Sequence, residues 1–213
     1  TGVRTHVLPH VHLMADRPDE SAYEGREAIQ AFSQDRWLTQ HWCNAVTQAH
    51  ATLYAMRLGE ALEGLERDAK RISRSLQTRL QTMRVQFLDV RARVMVAAAR
   101  EDKTRRESLL AVVDRDASVL AKEDLPWAHA LGAVAQAGAA SVRGDLDRAR
   151  VSYLRAARSF TELDMEVHAL AAKARLAEID GGEAERAALV MHLANVGKRG
   201  VKNPERFVRM LVP

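Results

Sequence analysis

Cysteine occurs once in the 213 residues, at Cys43, so no disulfide can form within the chain, and a reducing, cytoplasmic setting is expected. Aromatic residues make up only 5% of a chain that is 47% hydrophobic, so the apolar content is mostly Ala, Leu and Val. Five prolines and few glycines fall between long stretches free of both, which excludes an all-β fold with its frequent turns. No apolar run approaches the length of a membrane span, and no signal peptide is visible. Motifs of common chemistry are also missing. There is no G-x-x-x-x-G-K followed by Ser or Thr, no G-x-G-x-x-G, no H-E-x-x-H and no kinase catalytic loop of the H-R-D type. The carboxylates nearly all have Arg or Lys three or four positions away, as solvated helix faces do. No catalytic residue, cofactor or metal site is expected.

What is present reads as helix. Apolar periodicity and breakers place helices near 9–15, 19–34, 38–56, 59–73, 76–100, 104–122, 126–142, 145–161, 165–179, 183–196 and 204–211. The connections are short, so consecutive helices should pack as antiparallel hairpins. The hairpins fall at roughly 1–34, 38–73, 76–122, 126–161 and 165–196, with a terminal helix at 204–211, all in one domain. Because the chain begins Thr-Gly rather than with Met, it is read as a fragment or processed product of a larger chain. Near its end Asn203 is placed to cap, Pro204 suits the first helical position and Glu205 meets the positive helix end. Gly181 and Gly182 stop the helix before them.

The segment from Leu76 to Arg100 defines the kind of array. Leu76, Leu80, Met83, Phe87, Val90 and Val94 share one stripe, while Val85, Leu88, Met95 and Val96 lie on nearly the opposite side. A helix with two apolar faces is packed between neighbours, as in a solenoid of stacked hairpins. Between those faces runs a stripe of Arg79, Gln86, Asp89, Arg93 and Arg100, expected to be exposed and to line a groove, with Arg84 and Arg91 on its flank. From Arg67 to Arg106 twelve basic residues face four acidic ones, a local balance of +8 within a chain of net charge +4. Arginine holds carboxylates or phosphates by paired hydrogen bonds. Arg79, Gln86, Arg93 and Arg100 are therefore the candidate binding residues, for an acidic or phosphorylated protein segment. Nucleic acid is the weaker reading, because no aromatic platform alternates with the arginines.

The opening stretch HVLPHVHLMADRPDE raises a metal site, since His6 and His10 lie four apart and Asp16 and Asp19 follow. Pro9 argues against it. A helix beginning at Pro9 leaves His6 outside, and on it His10 and His12 point about 200° apart. One of these two is expected to pack and the other to face solvent, with Asp19 capping the next helix. Cys43, with His41 and His50 near it in sequence, reads as buried packing material.

Internal similarity sharpens the fold class. Ala133, Ala137 and Ala140 line one helix and Ala149, Tyr153 and Ala156 the next, around the turn Arg143-Gly144-Asp145. This resembles the tetratricopeptide repeat, whose two helices meet through small and aromatic residues. Ala45, Ala49, Ala61 and Leu65 repeat the spacing, with Met56 where Gly is expected. The fold class is thus all-α, a right-handed superhelical array of antiparallel hairpins.

Several segments together, ADRPDESAYEGREAIQAF with QHW, RSLQTRLQTMRVQFLDVRARVMVAAA, LPWAHALGAVAQAG with RGDLDRA, and GVKNPERFVRMLVP, resemble the C-terminal helical-repeat region of large bacterial serine/threonine protein kinases. In that family a kinase domain, often followed by a P-loop ATPase module, precedes the repeats. The resemblance implies a regulatory or ligand-sensing arm; none of the kinase's catalytic positions has a match here. A freestanding adaptor, or the sensor arm of a signalling ATPase, is the alternative.

Overall fold

The computed structural model describes residues 1–32 and 34–213; Ser33, in the predicted helix 19–34, lies outside the described residues. The described residues form eleven α-helices and no strand. They are α1 (Leu8–Met14), α2 (Pro18–Gln30), α3 (Thr39–Tyr54), α4 (Leu58–Arg74), α5 (Gln81–Glu101), α6 (Arg106–Leu120), α7 (Pro126–Arg143), α8 (Leu146–Glu162), α9 (Glu166–Asp180), α10 (Glu183–Lys198) and α11 (Pro204–Leu211). A π-helical turn, Val3–Val7, leads into α1, and a 3-10 turn, Leu76–Arg79, precedes α5.

From α1 to α10 each helix packs on its successor, including α2 on α3 and α4 on α5, where longer links intervene. Helices α1, α3, α5 and α7 also touch one another in order and form one row. Helix α11 lies against α3, α9 and α10, so it bridges elements far apart in sequence.

Local chemistry sets these boundaries. In the hairpin α7–α8, Pro126 opens α7, Gly144 takes a left-handed φ of 84°, and the Asp145 carboxylate accepts from the Arg148 amide at 3.1 Å. Asp16, Met56 and Asp164 take the same left-handed turn conformation without being glycine, with φ of 57°, 57° and 56°. Met56 therefore takes the turn conformation for which a glycine was expected.

Three expected boundaries differ. Helix 19–34 ends at Gln30, with Ala31 in a turn and Phe32 in a bend. Helix 76–100 begins instead at Gln81, because Ser75 and Leu80 are extended and the chain between them makes only a 3-10 turn. Ser75 Oγ and Thr78 Oγ1 donate to the carbonyls of Ile72 and Ser75 at 2.7 and 2.9 Å, a local alternative to the helical ladder that no glycine or proline announces. Leu76 and Leu80, assigned to the apolar stripe, are consequently exposed. At the other end, helix precedes Pro9. Pro9 has no N–H to give the Thr5 carbonyl, which accepts instead from Thr47 Oγ1 on α3 at 2.8 Å. The Leu8 amide bonds to the Val3 carbonyl, the π-helical step that absorbs the mismatch. His6 thus belongs to the helical segment rather than lying outside it.

The interior has two hydrophobic clusters, and α5 contributes to both: Phe87, Val90 and Val94 to one, Val85 and Leu88 to the other. The packing is two-faced but divided otherwise than the periodicity predicts: Met95 and Val96, assigned to the second face, lie in the first cluster with Phe87, Val90 and Val94. Gly138 marks the closest approach of α7 to α5, where an added Cβ would lie 2.9 Å from Val96 Cγ1. Ala137, Tyr153 and Ala156 are buried as the repeat pattern requires. Helix α11 supplies Met210 to the first cluster and Val208 to the second.

Candidate functional site

The segment Gly200–Pro213 crosses the row of odd-numbered helices. Gly200, with φ 88°, turns the chain after α10, and the Lys202 amide then donates to the Met14 carbonyl at 2.8 Å. Asn203 caps α11, its side-chain oxygen accepting from the Arg206 amide at 3.2 Å, while Pro204 and Glu205 occupy the first turn. The segment is fastened by Asp16, which accepts from Tyr54 Oη at 2.7 Å, Arg206 Nη1 at 3.0 Å and Asn203 Nδ2 at 3.2 Å. The Tyr54 hydrogen bond, helped by Asn203 and Arg206, holds the Asp16 carboxyl below its usual range. Asp19 does not cap α2. Arg17 stands at that position with no side-chain cap, Pro18 begins the helix, and Asp19 within the first turn pairs with Arg57.

Of the predicted groove residues, the structure brings Gln86, Arg93 and Arg100 along α5 and leaves Arg79 apart, exposed in the 3-10 turn before the helix. The expectation of an exposed stripe fails at its centre: Arg93 is 5% exposed and Asp89 8%. The reason is that α11 covers them. Arg93 Nη2 pairs with Asp89 Oδ2 at 2.5 Å and its Nη1 donates to the Met210 carbonyl at 2.9 Å. Arg100, still exposed, donates to the Pro213 carbonyl at 3.4 Å. Sequence reasoning missed Arg175 on α9, which donates from Nε to the Val212 carbonyl at 2.7 Å. Three arginines from two helices thus hold three main-chain carbonyls of one segment.

Two arginines on the flank of the stripe are spent within the array. Arg84 clasps Glu123 with bonds of 2.6 and 2.7 Å, and Arg91 clasps Asp116, 1% exposed, with bonds of 2.7 and 2.5 Å. These flank arginines join α5 to α6 and to the turn after it.

Beneath α11 lies a cavity of about 380 Å³. Met14, Val46, Trp127, Leu131, Met165 and Val167 form apolar walls, and Phe207, Met210 and Leu211 of α11 line one side. Its polar wall holds His6, His10, His50, His168, Gln86, Asp89 and Arg93. His6 and His10, and His10 and His50, meet edge to face with ring centroids 5.6 and 5.2 Å apart. His10 donates from Nδ1 to the His6 carbonyl at 2.5 Å, and His50 Nε2 accepts from Arg93 Nη2 at 2.9 Å, which fixes both tautomers. Burial lowers the pKa of His10, carries His50 well below the ordinary value and takes His168 to about 4. These three rings are therefore neutral near pH 7. The expected split, one of His10 and His12 packed and one in solvent, is replaced by half-burial of both, with His10 on the cavity wall.

Among the described residues no group of three or more His, Cys, Asp or Glu side chains is placed to hold a metal ion. No described helix is long and apolar enough to cross a membrane. Cys43 is a free, half-buried thiol whose pKa burial raises. Set against family models, curated proteins and solved structures, the chain matches none.

Proposed function

We propose that this chain is a non-catalytic protein-interaction and sensor module, a tetratricopeptide-like superhelical array that binds a protein segment across its odd-numbered helices. The observation that carries this reading is the grip of Arg93, Arg100 and Arg175 on the carbonyls of Met210, Pro213 and Val212. Hydrogen bonds to main-chain carbonyls recognise a polypeptide without demanding particular side chains. A face that holds one segment in this way is equipped to hold another. The same contacts revise the expected partner chemistry, because Arg93 has its charge answered by Asp89 and reads carbonyl oxygen rather than phosphate. Pairing of Arg84 and Arg91 with buried carboxylates favours protein over nucleic acid, since counterion release needs unspent positive charge. A cytoplasmic place as the regulatory arm of a bacterial serine/threonine kinase, or of a related signalling enzyme, rests on the sequence resemblance.

The test is binding in trans. A fluorescent peptide of residues 200–213 is titrated against the chain ending at Arg199, and against the full chain carrying Asp16→Ala with Asn203→Ala to loosen its own segment. Saturable binding, lost on changing Arg93, Arg100 and Arg175 together to Gln, is the expected result. A folded protein of either kind that takes up no peptide refutes the reading.

A further inference from the structure

We infer that the cavity under α11 is a binding site for a small neutral molecule with an apolar body and a single carbonyl-type oxygen. The size is right: about 380 Å³ falls within the roughly 300–1,000 Å³ of small-molecule sites. It would otherwise hold about a dozen waters at roughly 30 Å³ each, against walls of Val46, Leu131, Met165, Val167 and Phe207 that offer them no hydrogen bonds. The apolar walls call for an apolar occupant.

The polar wall specifies the rest. Its two permanent charges, Asp89 and Arg93, answer each other at 2.5 Å. The imidazoles of His10, His50 and His168 carry no charge near neutral pH. A carboxylate ligand would meet no unspent cation and would lie near Asp89. An ammonium ligand would meet no unspent anion. Either ion would surrender its hydration for little in return. Gln86 and His168 line the same wall and make no side-chain hydrogen bond among the described residues, so each has a neutral donor to give a ligand oxygen. Two neutral donors beside an apolar space select a ketone, ester, amide or lactone oxygen. This assignment does not depend on the trans-binding reading above, because it uses the cavity of the chain with its own α11 in place.

The experiment uses the full chain and three probes of equal length: 2-nonanone, nonanoate and nonylamine. Calorimetric titration at pH 7.5 should show one site for the ketone, with binding at least about tenfold weaker for either ion. Ketone binding should raise Tm and slow amide exchange in 204–211, because Phe207, Met210 and Leu211 line the site. Gln86→Leu should weaken ketone binding about tenfold, the loss of one well-made hydrogen bond. Leu131→Trp should fill the space and abolish binding; Val167→Phe serves if that variant fails to fold. No ketone binding, nonanoate bound more tightly than the ketone, or ketone binding untouched by the filling substitution would each overturn the proposal.

Discussion

Removing the charge of Arg93 while keeping its bulk tests the account of this face most directly. In Arg93→Met, Asp89 loses the partner 2.5 Å away, α11 loses the hydrogen bond to its Met210 carbonyl, and His50 loses the donor to Nε2. Asp89 is only 8% exposed, so water cannot replace the guanidinium without opening the site. Breaking a buried ion pair from one side costs about 3–5 kcal/mol, because the remaining charge is stranded. Domains of this size have about 5–15 kcal/mol in total, so the variant should fold at 25 °C with much of its margin gone. The double variant Arg93→Met with Asp89→Leu removes both charges, and should recover most of the loss, since well-packed apolar replacements of buried pairs are neutral or better. His168 supplies an independent reading. Arg93 lowers and Asp89 raises its pKa, so the single variant should move that pKa upward from about 4. Urea denaturation gives the stabilities and NMR titration the pKa. A single variant as stable as the parent, or a double variant no better than the single, would refute the burial of this pair as the source of its cost.

Other substitutions test the array and its pH response. Ala137→Arg forces a long cation into the wholly buried contact between α7 and α8, and should lower stability by about 3 kcal/mol or more in a denaturant titration. Gly144→Ala meets no neighbour within 4 Å but must hold φ at 84°, so it should cost about 1–2 kcal/mol from backbone strain alone. His168 stays neutral in the fold down to about pH 4, whereas in the unfolded chain it protonates near 6.5. Its contribution is thus fully present above 6.5 and lost as the pH falls toward 4, up to about 3 kcal/mol by linkage, with His10 and His50 acting in the same direction; a melting temperature flat from pH 7.5 to 4.5 would contradict it.

Local signals made the helices legible and left their closure invisible. Pro126, Gly144, Gly181, Asn203 and Pro204 each act on their immediate neighbours, and at each the structure has a helix start or stop. The break at Ser75–Leu80 escaped because it rests on hydroxyl-to-carbonyl hydrogen bonds rather than on a breaker residue. The turn at Asp16 was legible from the helix bounds 9–15 and 19–34, although its left-handed backbone is carried by an aspartate where Gly is the usual sign. The candidate site failed for a different reason. Helical periodicity correctly placed Gln86, Asp89, Arg93 and Arg100 between the apolar faces of α5, but it cannot report what covers that stripe from 117 residues away. One clue was present: Asp89 and Arg93 stand four apart, the spacing of an ion pair on one face, which spends the charge the groove was assumed to offer.

The two functional readings share α11, and that sharing has a thermodynamic consequence. A partner segment that takes the carbonyl positions of Met210, Val212 and Pro213 must displace α11, and with it Phe207, Met210 and Leu211 from the cavity wall. A molecule in the cavity buries its apolar surface against those same side chains, so it stabilises the closed arrangement. Each ligand therefore opposes the other, and the factor must be equal in both directions. Saturating 2-nonanone should weaken trans binding of a 200–213 peptide carrying Phe207→Ala, Met210→Ala and Leu211→Ala, which keeps the main-chain carbonyls but cannot rebuild the cavity wall, to the full chain carrying Asp16→Ala and Asn203→Ala, and saturating peptide should weaken the ketone by the same factor. The chain ending at Arg199 has no α11 to stabilise, so in it the antagonism should vanish. Antagonism that persists there would mean that the two ligands compete directly for space, and α11 would then be a bystander rather than the coupling element.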